Sequence, residues 1–241
     1  MMLIAALPLA LAACNDSKTA APAPDAALPA AVAAPAGQNW AEVVTATPEG
    51  GFRMGNPNAK VKLLEFASLT CPHCKDFHEA AAATIKSKYV ASGNVSYEYR
   101  NFVLNGPDFA ATVLSRCQGP EAFFGLLDAF YADQAGWIEP FGKLSKTDQE
   151  ALGKLPEDEQ VRRMAELGGL ADYVKLRGIP RAKFDQCLSD PAQAKAVNDL
   201  RNQAVNEYKL TGTPSFIING TVQEGVFEWR DLEVKLQTAL R

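Results

Sequence analysis

Residue types that metal and nucleic-acid sites rely on are scarce in this sequence. It holds two histidines and five cysteines in 241 residues. A zinc site needs two pairs of ligands at matching spacing, and Cys117, Cys187 and His78 do not supply a second pair beside the single Cys-x-x-Cys. Basic residues are outnumbered, since 24 Lys and Arg stand against 28 Asp and Glu for a net charge of −4. The sequence therefore indicates neither a metal site nor nucleic-acid binding.

Long apolar runs and internal repeats are also absent from the sequence. The apolar run from Leu3 to Ala13 is too short to span a membrane as a helix and is typical of an export signal. Without repeats, 241 residues fit one large domain or one domain with an insertion. A folded part of about 200 residues buries roughly 70% of its extended-chain surface, so its core does not depend on disulfides.

The N-terminal residues predict a signal peptide over 1–13. Leu11-Ala12-Ala13-Cys14 resembles the lipobox of bacterial lipoproteins, in which the signal is cut before the cysteine. The resemblance implies that Cys14 is the first mature residue and carries a lipid anchor. Leaders of that family begin with Lys or Arg, and Met1-Met2-Leu3 has neither, so an ordinary cleaved signal remains the alternative.

Residues 14–38 are predicted to form an extended tether. The stretch Thr19–Gly37 contains ten Ala and four Pro in 19 residues and no aromatic side chain. Such a composition cannot bury enough apolar surface to fold, and the prolines interrupt any long helix. We therefore expect a globular domain over 39–241, and we expect a monomer because the tether provides no oligomerisation stalk.

Two thiols lie two residues apart in the motif Cys71-Pro72-His73-Cys74. The preceding run 61–66 predicts a short buried strand, and apolar residues recur at helical spacing over 77–85. Pro72 suits the first turn of that helix, where its missing N–H costs nothing. Cys71 then lies at the helix N-terminus, whose free N–H groups and dipole favour a thiolate with a pKa of about 3.5–7.5.

His73 can add positive charge beside Cys71 when it is protonated, whereas Cys74 is expected to be turned inward and shielded. Half of a zinc site and a structural disulfide in a tight turn are the other interpretations of the motif. A redox-active disulfide, Cys71–Cys74, at a strand–helix junction is favoured over both.

The rest of the chain predicts strands around a helical insertion. Strands are expected at 42–46, 52–54, 61–66 and 95–102. Between about 107 and 190 the period is helical, with helices expected at 107–117, 120–133, 146–153, 156–168 and 180–188. A longer helix from Asp190 to Tyr208, a hairpin at Asn219-Gly220 and a last helix over 229–240 complete an α/β domain.

The Cys-Pro-His-Cys motif, the helical insertion and Thr213-Pro214 before a late hairpin together resemble the thioredoxin fold of DsbA-like exported thiol oxidoreductases, over about 39–241. The implied fold is a central sheet flanked by helices, with the helical subdomain inserted at about 107–190. The resemblance also implies that Pro214 is the cis-proline of that fold and that the Thr213 backbone pairs with a peptide lying across the thiols. An ordinary trans turn proline is the alternative.

Glu65 lies six residues before Cys71, where this family places a buried acid beneath the disulfide. It shares a strand face with apolar residues, an unusual place for a surface carboxylate. A buried acid has a raised pKa and can exchange a proton with Cys74, whereas an acid at a solvent-touching strand end is the alternative. Arg100 is a candidate partner for Glu65, and His78 is assigned to structure or surface.

Cys117 and Cys187 each fall near a predicted helix end in the insertion. Some members of the family carry a second, non-catalytic disulfide there, so the resemblance implies the structural disulfide Cys117–Cys187, with two free buried thiols as the alternative. The resemblance also implies exported proteins as substrates, reoxidation by a DsbB-like membrane quinone reductase, and no cofactor.

The sequence thus predicts a periplasmic, lipid-anchored, monomeric enzyme that introduces disulfide bonds into exported proteins through Cys71 and Cys74. A disulfide isomerase or reductase of the same fold is the nearest alternative, because Thr before Pro214 also occurs in the isomerase branch. Isomerases usually need an oligomerisation module, and none is visible in the sequence. A lipoprotein holdase or scaffold that uses the fold only for binding is the alternative from another class.

Overall fold

A computed structural model of the protein describes residues 28–241, except for the side chains of residues 157 and 158. This part of the chain contains a six-stranded mixed sheet in the order β1-β2-β4-β3-β5-β6. The strands are β1 (Val44–Ala46), β2 (Phe52–Met54), β3 (Val61–Ala67), β4 (Val95–Asn101), β5 (Ser215–Ile218) and β6 (Thr221–Val222). The predicted α/β class is confirmed, whereas the predicted signal peptide and Cys14 lie outside the described residues.

Strand β3 is the centre of the sheet. It pairs in parallel with β4 on one side and antiparallel with β5 on the other. Every residue of β3 except Lys62 is buried, which is why its sequence is a nearly continuous apolar run. At the far edge, β5 turns into β6 through Asn219 and Gly220, whose φ angles of 49° and 82° are those that an Asn-Gly hairpin turn favours.

Helices cover the sheet and form the insertion. α1 (Pro72–Thr84) follows β3 and continues as a π-helical segment, Ile85–Val90, before the chain enters β4. The insertion between β4 and α9 consists of α2 (Gly106–Arg116), α3 (Pro120–Ala132), α4 (Gln134–Gly142), α5 (Lys146–Leu152), α6 (Glu157–Leu167), α7 (Leu170–Lys175) and α8 (Arg181–Leu188). The chain ends with α9 (Pro191–Asn206), the β5–β6 hairpin and α10 (Trp229–Leu240). Within residues 28–241, no helix is both long and apolar enough to cross a membrane.

The insertion has two more helices than the five that the sequence predicted. α4 was missed because it contains Pro140 and begins and ends near glycines, which disfavour helix in sequence patterns. α7 was missed because it has only six residues and directly follows Gly168-Gly169. Tertiary packing stabilises both helices, since Trp137 of α4 and Val174 of α7 are buried.

The insertion shares its core with the sheet. The ring of Phe123 on α3 stacks on that of Phe52 on β2, with centroids 4.2 Å apart. Phe124 packs against Tyr97 of β4 at a centroid distance of 5.7 Å. Because aromatic side chains of both parts interdigitate, the inserted helices are fixed relative to the end of β3.

The last part of the predicted tether lies against the domain. The Val32 N–H donates to the Ser92 carbonyl at 2.8 Å, and the Trp40 indole N–H donates to the Val32 carbonyl at 2.9 Å. The Asn94 side chain donates to the carbonyls of Pro29 and Ala30. Composition alone missed this docking, because the bonds use backbone groups of the Ala/Pro-rich segment, which any sequence presents.

Cys117, at the end of α2, and Cys187, in α8, are joined as a disulfide with their Cα atoms 5.9 Å apart. The bridge closes a loop across 70 residues of the insertion. We expect the double variant Cys117→Ala/Cys187→Ala to lose about 4 kcal/mol of unfolding free energy on the chain-entropy model. Guanidinium unfolding, with Cys71 and Cys74 kept in one redox state, measures the loss. Equal stability of variant and parent would contradict the prediction.

Candidate active site

The loop 68–71 joins β3 to α1 and places Cys71 at the N-cap of the helix. Its backbone is extended there, with φ −79° and ψ 122°. Pro72 occupies the first helical position, and the Lys75 N–H reaches the Cys71 carbonyl at 3.2 Å. The Cys71 sulfur therefore lies where the free N–H groups of the first turn point.

The Cys71 thiol is poised to ionise. Its pKa falls to about 5, first because the Cys74 thiol donates a hydrogen bond to the sulfur, and further because of the Thr213 side chain and the backbone N–H groups of Cys74 and His73. Burial opposes this shift, since only 5% of the residue is exposed. The exposed His73 side chain lines the adjacent groove. The contribution of His73 to the lowered pKa of Cys71 comes from its backbone N–H.

Cys74 has the opposite environment one helical turn further on. It is fully buried, and burial raises its pKa far above the ordinary value of a thiol. Its hydrogen bond to the Cys71 sulfur and the nearby Glu65 carboxyl raise it further. Both residues are free cysteines in this structure, and the two pKa shifts make Cys71 the thiolate and Cys74 the protonated partner at neutral pH.

Glu65 lies on β3 beneath the two thiols and is only 2% exposed. Burial raises the pKa of its carboxyl to about 7, while a 2.6 Å hydrogen bond donated by the Tyr97 hydroxyl limits the rise. Tyr97 comes from β4, where it stands opposite Leu63 in the parallel register. Glu65 is thus a buried acid that is coupled electrostatically to Cys74, and the structure adds Tyr97 as a partner that the sequence did not indicate.

Arg100 does not pair with Glu65, so that prediction is wrong. In the β3–β4 register Arg100 stands opposite Phe66, which puts its side chain on the other face of the sheet from Glu65. There its guanidinium donates to Glu98 at 2.6 Å and to Gln203 at 2.6 Å.

His78 is held by structural contacts, as the sequence suggested. Its Nε2 lies 2.8 Å from Oδ1 of Asp128, and its ring packs on Tyr131 with centroids 4.7 Å apart. An electrostatic interaction with His78 also lowers the pKa of the Glu65 carboxyl.

The Thr213–Pro214 peptide bond is cis, and the Thr213 carbonyl accepts a 3.4 Å hydrogen bond from the Cys71 thiol. Beside it lies a groove of about 830 Å³. Its lining is mostly apolar and includes Phe77, Pro214, Phe227 and Trp229, with His73, Asp76, Glu228 and Arg230 at charged or polar positions. Phe227 is 59% exposed, so the groove offers an accessible aromatic surface next to the thiols.

Three side chains of the insertion hold the loop 68–71, and the sequence indicated none of them. Asp108 accepts hydrogen bonds from Ser68 and Leu69, Tyr131 donates to the Ser68 carbonyl, and Gln134 donates to the carbonyls of Leu69 and Cys71. Asn105-x-x-Asp108 carries a recognisable signal for a helix start, and the Asn105 side chain does cap α2. Nothing in the local pattern shows that Asp108 also reaches across to another loop.

We expect alkylation to separate the two thiols. In the reduced protein, iodoacetamide should modify Cys71 with a rate that follows a titration midpoint near pH 5, while Cys74 stays protected because it is buried and protonated. Mass mapping of the modified peptide identifies the residue, with Cys74→Ala and Cys71→Ser variants as controls. Preferred modification of Cys74, or a midpoint near the ordinary thiol value, would contradict the assignment.

We expect Glu65→Gln to stabilise the reduced protein in a pH-dependent way. The folded-state pKa of Glu65 is raised to about 7, so wild-type stability is greatest below the unfolded pKa and falls as pH rises through 7. The variant lacks this fall, and its advantage should grow by about 3 kcal/mol between acid and alkaline pH. Denaturant unfolding at both ends of the range measures it. The exposed Glu150→Gln is the matched control, and a constant difference between Glu65→Gln and wild type would count against a buried titrating acid.

Comparisons with known proteins agree with this geometry. A family model described as Thioredoxin matches residues 47–237. The protein-disulfide isomerase structure from Novosphingobium aromaticivorans is 33% identical, with a TM-score of 0.74 over 78% of this chain and 96% of that chain. Wolbachia pipientis alpha-DsbA1 shares the fold at a TM-score of 0.64 and 23% identity, over 83% of this chain and 96% of that one.

Curated proteins point the same way. The "Putative protein-disulfide oxidoreductase" of Rickettsia felis is 27% identical over 187 residues, which are 78% of this chain and 59% of that protein. The chain therefore spans about three fifths of the length of this Rickettsia relative. With the cysteine pair, the cis-proline and the matched family model on one fold, the chain belongs to the thioredoxin family.

Proposed function

We propose that this protein introduces disulfide bonds into exported proteins by exchange with a Cys71–Cys74 disulfide. The observation that carries the proposal is the contrast between the two sulfurs. The pKa of Cys71 is lowered to about 5, and Cys74 is buried and held protonated. Each unit by which a thiol pKa is lowered favours the reduced enzyme by about 1.4 kcal/mol, so the corresponding disulfide is an oxidant.

The exchange proceeds in two displacement steps. A substrate thiolate attacks the Cys71 sulfur, the Cys71–Cys74 bond breaks, and Cys74 leaves and takes up a proton from the Glu65 carboxyl. A second substrate thiolate then attacks the substrate sulfur of the mixed disulfide, and Cys71 leaves as a stabilised thiolate. The substrate loses two electrons, and the enzyme gains them as a dithiol.

The surroundings of Cys71 support a peptide substrate. The Thr213 carbonyl beside the sulfur is a backbone acceptor at the edge of the site, which an extended peptide can pair with as an added strand. The apolar groove next to it can take a large side chain that flanks the substrate cysteine. Both features suit unfolded or partly folded protein substrates.

The periplasm, a lipid anchor at Cys14, a monomeric state and reoxidation by a DsbB-like membrane quinone reductase belong to the same proposal. The docked segment near Val32 contacts the turn before β4, at the end of the sheet opposite to Cys71. The seven residues of β3 separate the two ends by about 20 Å. The described chain thus approaches the domain at the end of the sheet opposite to the thiols, which suits a lipid anchor at Cys14.

Disulfide isomerisation is the second candidate function. It is favoured by the 33% identity to the Novosphingobium protein that is named an isomerase. A low Cys71 pKa also suits an isomerase, because the thiolate must attack substrate disulfides. The holdase or scaffold alternative uses neither sulfur, so it gives no account of the unequal pair.

We expect a Cys74→Ala variant to accumulate mixed disulfides with exported proteins. Without the second thiol, the bond between Cys71 and its substrate cannot be resolved from the enzyme side. Non-reducing electrophoresis and mass spectrometry of the trapped species identify the substrates. The Cys71→Ser/Cys74→Ala variant is the control, and equal complexes in both variants would support the holdase alternative.

The equilibrium of the Cys71–Cys74 pair with glutathione separates oxidase from reductase. An oxidase should have a potential well above the value of about −270 mV that thioredoxin shows. A potential at or below that value would overturn the oxidase proposal. A stable dimer or trimer in a molar-mass measurement would favour the isomerase instead.

A further inference from the structure

Asp108 is a buried carboxyl that the exchange mechanism does not use. It sits in the first turn of α2 and has no exposed surface. Its Oδ2 accepts from the Ser68 hydroxyl at 2.6 Å and from the Leu104 N–H at 2.9 Å, and its Oδ1 accepts from the Leu69 N–H at 3.0 Å. One side chain of the insertion therefore fixes the backbone that leads into Cys71.

Gln134 completes the support from a different helix. Its side-chain amide donates to the Leu69 carbonyl at 2.8 Å and to the Cys71 carbonyl at 3.0 Å. Gln134 is itself buried at the start of α4. The peptide groups on both sides of Leu69 are thus held by the insertion and not by the sheet.

We propose that Asp108 is a positioning residue through which the helical insertion sets the redox poise of Cys71. Its hydrogen bonds hold the loop that leads into Cys71, and its carboxyl is coupled electrostatically to the thiolate that forms when the disulfide is reduced. The inference deepens the proposed function, because it names what limits the oxidising strength of the same site. It concerns only the energy of the Cys71 thiolate, so it can be tested whichever substrates the protein serves.

The charges around Asp108 make this effect depend on pH. Burial raises the pKa of Asp108 to about 6, its three hydrogen bonds oppose the rise, and the Cys71 thiolate adds to it. Tyr99 of β4 is also coupled to Asp108, and its raised pKa keeps it neutral. In the described part of the chain, no Lys or Arg is paired with Asp108.

The charge that reduction creates decides whether ionised Asp108 favours or disfavours the reduced Cys71–Cys74 pair. Reduction creates a thiolate at Cys71, and above about pH 6 that thiolate meets an ionised Asp108. Like charges in a buried site repel, so the carboxylate disfavours the reduced form and makes the pair a weaker oxidant. Below that pH Asp108 is protonated and the repulsion disappears.

The test compares full-length wild type and Asp108→Asn in glutathione redox buffers at several pH values. The measured quantity is the equilibrium constant for reduction of the Cys71–Cys74 disulfide. We expect the ratio of variant to wild type to rise by about threefold to tenfold between acid pH and pH 7.5, as the loss of a repulsion worth about half a pKa unit to one unit requires. Glu65 titrates in both proteins, so its contribution cancels in the ratio.

Two further variants separate the effect of the Asp108 charge from the effect of a loosened loop 68–71. Gln134→Leu loses two hydrogen bonds but no charge, so its ratio to wild type should not change with pH. Ser68→Ala removes a hydrogen bond that lowers the pKa of Asp108. The pH at which the redox potential of the Cys71–Cys74 pair changes should therefore move upward. This variant replaces Asp108→Asn if the latter does not fold. The exposed Asp172→Asn should match wild type throughout.

A ratio for Asp108→Asn that stays constant over the pH range would overturn the inference, and so would an unshifted Ser68→Ala profile. Neither result affects the trapping of substrates on Cys74→Ala, which tests the proposed function itself. Conversely, a wild-type potential too low for an oxidase would overturn the oxidase proposal and leave the pH-dependent ratio measurable.

Discussion

The unequal environments of two sulfurs one helical turn apart are the constraint on which this structure depends. Cys71 sits at the end of α1, where hydrogen-bond donors without helical partners meet its sulfur, and Cys74 sits inside the turn with no access to water. A helix that starts at the end of a buried central strand produces this contrast directly. Because Cys74 has no access to water, a proton that reaches or leaves it needs a buried acid or base, and in the proposed mechanism Glu65 on β3 is that group.

The buried carboxyls of this site reduce the stability of the folded protein. Glu65 and Asp108 are both buried carboxyls with raised pKa values, and a charge on either is poorly compensated. The core shared by the sheet and the insertion supplies the stability that offsets this cost, through contacts such as Phe52 on Phe123. The insertion is therefore more than an addition to one face, since it carries both part of the core and the side chains that hold the loop 68–71.

Patterns confined to one element predicted well, and contacts between distant elements did not. The apolar run of β3, the Cys-Pro-His-Cys helix start and the Asn-Gly hairpin are local signals, and the structure has all three elements. The site brings together Cys71 and Cys74, which the local motif indicated, with Glu65, Thr213 and Pro214. The last three were chosen through a family resemblance that already contains long-range information. Arg100 was misplaced because its face depends on the β4 register, and Gln134 was missed because α4 breaks local helix rules. The roles assigned to these residues stay predictions until they are tested.

Solved structures with this fold are named as different kinds of protein. The Novosphingobium structure is named an isomerase and the Wolbachia structure a DsbA, yet both superpose on this chain over most of their length. A shared fold cannot by itself separate an oxidant from an isomerase. What can separate them is the free energy of the thiolate, which the helix N-terminus lowers and nearby buried carboxylates raise. In this protein two buried carboxyls are coupled electrostatically to Cys71, Glu65 on the sheet and Asp108 on the insertion, and by our proposal Asp108 sets that balance.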